Sequence, residues 1–388
     1  MSPASDELVA AIAAEAAASA EVWFPELRAR QVQARVLAAD ARARCFLYRV
    51  ELHDGRVRRP VIVKVRHSQP SLRRLDRFEG RPQLNPERTM SDHDTARREY
   101  DGLQIIVDAL GAGNERFGVL RSLAWLPAQS AIVMDLVEEP TLRHALLETS
   151  RFRRGRRSRP MDETAWLNAG AWLRIFHDHE TPLMLPPRTK NREQVADLYR
   201  AYSDFLVQRV GASSLLTDLT EMAAELTSAA LPSDLPLSPG HGDYVANNMF
   251  VGPAGRITVF DPLPRWRVPR YQDLATLVVG IRLLPLQATT QGLALARGEL
   301  ARYEVAVLRG YFGSDPVPVA AVRAYQLLVL LDKWSAMVSK RPRGSLRPHL
   351  HEVRMRMANH HYQREARWLL SVLTGSDRPG RRDSGLSA

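Results

Sequence analysis

The chain of 388 residues holds one cysteine, Cys45, so no internal disulfide can form. A single thiol fits a reducing compartment. No uncharged apolar run approaches the roughly 18 residues that a membrane span requires. The nearest stretch, AAVRAYQLLVLLDKWSAMV at 320–338, contains Arg323, Asp332 and Lys333 and reads as a buried core helix. The opening MSPASDELVAAIAAEAAASAEVW carries Asp6, Glu7 and Glu15 but no basic segment ahead of its apolar residues. That argues against a signal peptide and for an amphipathic helix. The expectation is a cytoplasmic protein with no membrane span. Zinc-ligand spacing is lacking as well, and so is a basic patch interleaved with aromatics. Nucleic-acid binding is therefore left with charge as its only support.

The rest of the composition is that of an ordinary globular protein, 45% hydrophobic and 25% charged. The length suits two lobes or domains. The net charge of +11 is unevenly placed: residues 1–150 are balanced, and the whole surplus lies beyond them. Such a surplus attracts anions without choosing among them.

VQARVLAAD, then CFLYRVELHDGRVRRPVIVKVRH, predict three consecutive antiparallel strands, with Asp54-Gly55 supplying a tight hairpin. A polar loop over 68–92 leads to a helix in DTARREYDGLQIIVDALGAG, and FGVLRSLAWLPAQSAIVMDLV predicts two more strands. The fold class expected is α+β and bilobal: a five-stranded antiparallel sheet with one main helix, then a mostly helical lobe. The expected divisions are a helical extension at 1–29, the sheet lobe at 30–137, the helical lobe at 138–373 and a disordered tail at 374–388. RFRRGRRSR (151–159), with six arginines, reads as a flexible basic connector, and His360 and His361 as a solvated helix face.

Three features stand in order along the chain. Lys64 ends the third strand in VIVK, and Glu99 lies on the helix that follows. HGDYVANN, residues 241–248, precedes a short hairpin that delivers Asp261. These are the parts for nucleotide-dependent phosphoryl transfer. A cation held by a carboxylate must grip phosphates, one carboxylate must take the hydroxyl's proton, and hard oxygens must hold Mg²⁺. Glu79, Glu87 and Asp101 compete with Glu99 for the carboxylate role.

HGDYVANNMFV followed by ITVFDPLPRWRVPRYQDLA resembles the aminoglycoside phosphotransferase and choline kinase-like family of the protein-kinase-like superfamily, over about residues 30–340. The resemblance implies that Asp243 is the catalytic base and that His241 braces its loop. It implies that Asn248 and Asp261 are the metal ligands, Lys64 and Glu99 the phosphate-binding ion pair, and Asp273 the structural support of the catalytic loop. Met134, Asp135, Leu136 and Val137 would form the hinge that meets adenine, and His177 would pack behind the catalytic loop. The implied activity moves the γ-phosphoryl group of ATP or GTP, with Mg²⁺, to a hydroxyl of a small molecule: a sugar, polyol, amino alcohol or antibiotic. The positive surplus favours a neutral or anionic acceptor over a polycation. The alternatives are a non-catalytic, kinase-like nucleotide binder and a basic nucleic-acid-binding protein. Two departures stand out. The first hairpin turn, AADARARCF, has no glycine to cover phosphates, and Pro262 follows Asp261 where a bulky residue is common.

Overall fold

The computed structural model describes residues 6–27, 32–42, 44–67, 80–86, 90–152, 161–339 and 348–375. Glu79, Glu87, most of the arginine-rich connector and the tail beyond residue 375 lie outside the described residues.

The sheet follows the order β1 (Gln33–Ala41), β2 (Cys45–His53), β3 (Arg58–Arg66), β6 (Ala131–Asp135), β5 (Ser122–Leu126), all neighbours antiparallel. Period-two alternation gives it two apolar faces. Val50, Leu52, Val61, Val63 and Val133 turn outward onto Leu8, Ile12 and Trp23, from helix α1 (Asp6–Trp23) and its end. Ile132 and Met134 turn inward and share a core with the second helix, α2 (Asp92–Leu110). Ser91 caps α2, its Oγ accepting from Asp94 N at 3.0 Å, a contact worth about 1 kcal/mol. Gly111 N–H closes the other end on Val107 O.

FGVLRSLAWL does not run as one strand. Phe117–Gly118, strand β4, leaves the main sheet and pairs in parallel with β9 (Ile257–Val259), itself antiparallel to β8 (Met249–Val251). The chain then re-enters the sheet as β5.

The second lobe begins with α3 (Leu142–Glu148) and α4 (Thr164–Asp178), continues with α5 (Arg192–Val210) and α6 (Ser214–Ala230), and then forms β7 (Leu237–Pro239). Strand β10 (Arg267–Pro269) leads into α7 (Tyr271–Arg282), α8 (Pro285–Thr289), α9 (Arg297–Phe312), α10 (Val319–Val338) and α11 (Pro348–Leu373). The 320–338 stretch is the buried helix α10 that its charges imply, with Arg323 itself buried. No described helix is long and apolar enough to cross a membrane. Two cores fill this lobe. One joins α5, α6, α10 and α11, and the other runs from the inner face of the sheet through α4, α7 and α9. The second core is continuous across both lobes, and the candidate site borders it.

Candidate active site

Strand β3 carries the first part of the site. Its alternation sends Val61 and Val63 toward α1, and sets Ile62, Lys64 and Arg66 along the cleft between the lobes. Lys64 Nζ donates to Glu99 Oε1 at 2.6 Å and to Asp261 Oδ1 at 2.5 Å. Arg66 donates from Nε to Glu99 Oε2 at 3.0 Å, and from Nη2 to the same oxygen and to Asp261 Oδ1. Two cations and two carboxylates thus close one network across the lobes. Glu99 is 1% exposed and Lys64 7%, so these charges are sustained there by the network that pairs them. Burial pushes the Lys64 ammonium down, but Glu99 and Asp261 outweigh it and hold it above its ordinary value. Burial likewise works to raise Asp261. Lys64 and Arg66 prevail, and its carboxyl lies well below the usual carboxylate range. Asp101, the described competitor for Glu99, instead pairs with Arg97 on the exposed side of α2.

Close packing brings the two carboxylates together. Gly102, one turn beyond Glu99, faces the proline pair after Asp261. A Cβ at Gly102 would lie 2.9 Å from Pro264 Cδ and 3.0 Å from Pro262 Cγ. The absent side chain lets α2 rest on Pro262, the residue that departs from the family pattern. Asp261 has φ 61°, unusual for a residue with a side chain.

The loop from 240 to 248 carries the second part. Gly242 has φ 90°, and a Cβ there would come within 2.5 Å of Leu263 O, so this turn needs glycine. His241 N donates to Asp273 Oδ2 at 2.8 Å, and His177 Nε2 lies 3.2 Å from the same oxygen. His177 Nδ1 meets the Tyr311 hydroxyl at 2.8 Å. The His241 ring is buried edge-on among Trp172, Phe176 and Tyr244, and burial depresses its pKa. It therefore sits behind the loop. Asp243 is exposed at the cleft, and Asn248 Nδ2 donates to its backbone oxygen and to Oδ2, both at 3.0 Å. Asn248 Oδ1 is left as that amide's remaining ligating atom. Phe260 N–H bonds Asn248 O at 3.0 Å, so the β8–β9 hairpin sets Asp261 beside Asn248.

Together these parts border one cleft of about 770 Å³. At its inner end Met134, Leu136 and Val137 meet Leu47 and Ile62 from the sheet, with Phe250 and Phe260 opposite. The last two stack at 4.3 Å. Asp135 also lines the cleft, and its carboxylate is held by Arg121 at 2.6 and 3.0 Å. Lys64, Glu99, Met134, Asp135, Leu136, Val137, Asp243, Asn248, Asp261 and Asp273 all line the cleft, whereas His241 and His177 lie beneath it. Missed were Arg66, the Phe250–Phe260 pair, and Arg42, Arg44 and Arg265, which also line the cleft. Arg66 could have been found, because period two puts it on the same face as Lys64.

Among the described residues no group of three His, Cys, Asp or Glu could hold a metal ion by itself. Asn248 and Asp261 offer two hard oxygens at the cleft. That donor set fits Mg²⁺, which keeps several waters and takes phosphate oxygens in preference to a full protein cage.

No protein-family profile matches the chain, and no curated protein matches it by sequence. Solved structures match it by fold. An ethanolamine kinase of Plasmodium vivax superposes with a TM-score of 0.50 at 9% identity, over 96% of this chain and 90% of that one. A type I macrolide 2′-phosphotransferase gives a TM-score of 0.51 at 12% identity, over 92% and 99%. The chain has the protein-kinase-like fold. Within that fold Lys64, Glu99, Asp243, Asn248 and Asp261 line one cleft.

Proposed function

We propose that the protein is a nucleotide-dependent phosphotransferase of the aminoglycoside phosphotransferase and choline kinase-like kind, moving a γ-phosphoryl group to a hydroxyl of a small molecule. The observation that carries this reading is the Lys64–Glu99–Asp261 network closing across the cleft onto the Asp243–Asn248 loop. The apolar slot between Ile62 and Phe250 accepts the adenine or guanine ring, with the 134–137 hinge at its edge. Lys64 grips the α- and β-phosphates while Glu99 holds the ammonium in place. Asp243 takes the proton of the acceptor hydroxyl as its oxygen bonds to the γ-phosphorus, and the bond to the bridging oxygen breaks, so the nucleoside diphosphate leaves. Asn248 and Asp261 would hold Mg²⁺, which would neutralise charge on the phosphates. His241, His177 and Asp273 position the loop. The left-handed backbone at Asp261, an outlier of a kind that clusters at functional sites, supports a functional role there.

The acceptor is neutral or anionic. Of the carboxylates lining the cleft, Glu99 and Asp261 are engaged by Lys64 and Arg66, Asp135 by Arg121, and Asp273 by histidines. Among the described residues that leaves Asp243 as the one lining carboxylate to meet a polycation. A cytoplasmic location, where ATP and GTP are plentiful, belongs to the same reading. The test is nucleotide consumption by purified protein against sugars, sugar phosphates, polyols, amino alcohols and aminoglycosides. Acceptor-dependent diphosphate release, lost in Asp243→Asn, supports the proposal. Release that is unchanged by Asp243→Asn would remove it.

A further inference from the structure

At the opposite end of α7 from Gln272 and Asp273, which line the cleft, a pocket of about 300 Å³ opens between the helix end, the 287–297 segment and α11. Three guanidinium groups border it: Arg282, Arg297 and Arg364. Arg282 is 6% exposed. Its Nη2 bonds Glu304 at 2.7 Å, while its Nε–H is buried with no hydrogen-bond partner among the described residues. Such a donor in a polar, accessible pocket is a cost that an acceptor oxygen would remove. Arg297 and Arg364 keep 58% and 40% of their side chains exposed at the mouth.

The charges do not cancel. Arg282 and Arg323 share Glu304, and Arg282, Arg297 and Arg364 share Glu365 at 3.4–3.7 Å. Among the described residues, four guanidinium groups thus face two carboxylates. His361 does not alter the balance. Arg364 Nη2, which can only donate, lies 2.9 Å from His361 Nδ1. The other ring nitrogen then carries the proton and donates to Arg282 O at 2.9 Å. His361 is therefore neutral, and it is buried against the last carbonyl of α7 instead of lying on a solvated face. Trp368 lies under Arg282, Arg297 and Arg323, with ring centres 4.8–5.5 Å from the guanidinium carbons. The forks are held in place before any ligand arrives.

We propose that this pocket is a second binding site, remote from the cleft, for a small dianionic phosphate group held by Arg282, Arg297 and Arg364. Planar guanidinium forks match phosphate oxygens in pairs, and a surplus of two positive charges matches the charge of a phosphate monoester or of free phosphate. The site does not depend on the catalytic reading; only the ADP control below rests on it.

The test is thermal melting of the full chain in inorganic phosphate against chloride at equal ionic strength, followed by calorimetric titration. Wild type should show a saturable rise. In Arg297→Gln/Arg364→Gln, changed only at the exposed mouth, the rise should disappear while stabilisation by ADP is retained. Glu365→Gln, which removes a competing carboxylate of the same shape, should tighten phosphate by roughly threefold to tenfold. Glycerol 3-phosphate run in parallel separates the sources. Tighter binding of the ester assigns a phosphorylated metabolite, tighter binding of the inorganic ion assigns free phosphate, and both support the site. A rise that survives the double substitution and vanishes in Lys64→Ala would place phosphate in the cleft alone and overturn the proposal. No rise beyond the chloride control would overturn it equally.

Discussion

Asp243 and Asp261 border the same cleft, yet their surroundings have little in common. Asp261 is clamped by Lys64 and Arg66, and its proton is held off by two cations. Asp243 is exposed and touches an amide and its own loop. One carboxylate is held by two cations, and the other stands exposed at the cleft. Chemical type alone does not assign a role; the neighbours do.

The strongest way to break that contrast is Asp243→Asn, which keeps shape and loses the proton acceptor. Turnover should fall by roughly 10²- to 10⁴-fold with nucleotide affinity almost unchanged. Steady-state rates and nucleotide titration measure both, and near-normal turnover would make Asp243 a bystander. Next comes Glu99→Gln. Removing one partner of a buried pair costs about 3–5 kcal/mol, read from urea denaturation. A loss below about 1 kcal/mol would mean that solvent already shares these charges. If Lys64→Met adds its full effect on top of Glu99→Gln, the two do not act as a unit.

A ligand experiment sharpens the same comparison. Nucleotide with Mg²⁺ at about a hundredfold excess over its dissociation constant should stabilise by about 2.7 kcal/mol, and Mg²⁺ alone by little. Asp261→Asn should abolish that synergy in a melting curve, whereas Asp243→Asn should leave it. Full stabilisation in Asp261→Asn would dissociate this aspartate from the metal. The smallest effect concerns pH. His241 is held neutral, its folded pKa below the ordinary 6.5 because of burial. The unfolded chain then binds the extra proton first, so this contribution is complete above about pH 6.5 and fades as pH falls through the folded value. His241→Gln should flatten the decline in melting temperature between neutral pH and about pH 5. An unchanged slope would assign the acid sensitivity to other groups.

Local chemistry was legible in the sequence where it depended on spacing. Glycine at 242, the Asp243-to-Asn248 interval and the strand before Lys64 are short-range features, and the structure gathers them in one cleft. What stayed hidden depended on distant partners. Strand β4 leaves the sheet because its mate, β9, lies some 140 residues further on. His361 looked solvated because the carbonyl that buries it belongs to Arg282. Phe250 and Phe260 read as strand residues, and only hairpin pairing stacks them into a wall of the cleft. Arg66 was within reach of simple alternation.

The contact between Gly102 and Pro262 bears on control. In kinase-like enzymes the helix that holds the lysine's carboxylate partner is the element that regulation moves, swinging out to disarm the site. Here α2 is wedged on a proline ring, with both of its charge partners engaged across the lobes. Swinging it outward would strand Lys64 and Arg66 and open a gap at the proline. Under the proposed function, moving this helix would loosen the lysine's hold on the phosphates, and a side chain placed at Gly102 should force α2 off the proline pair and lower turnover.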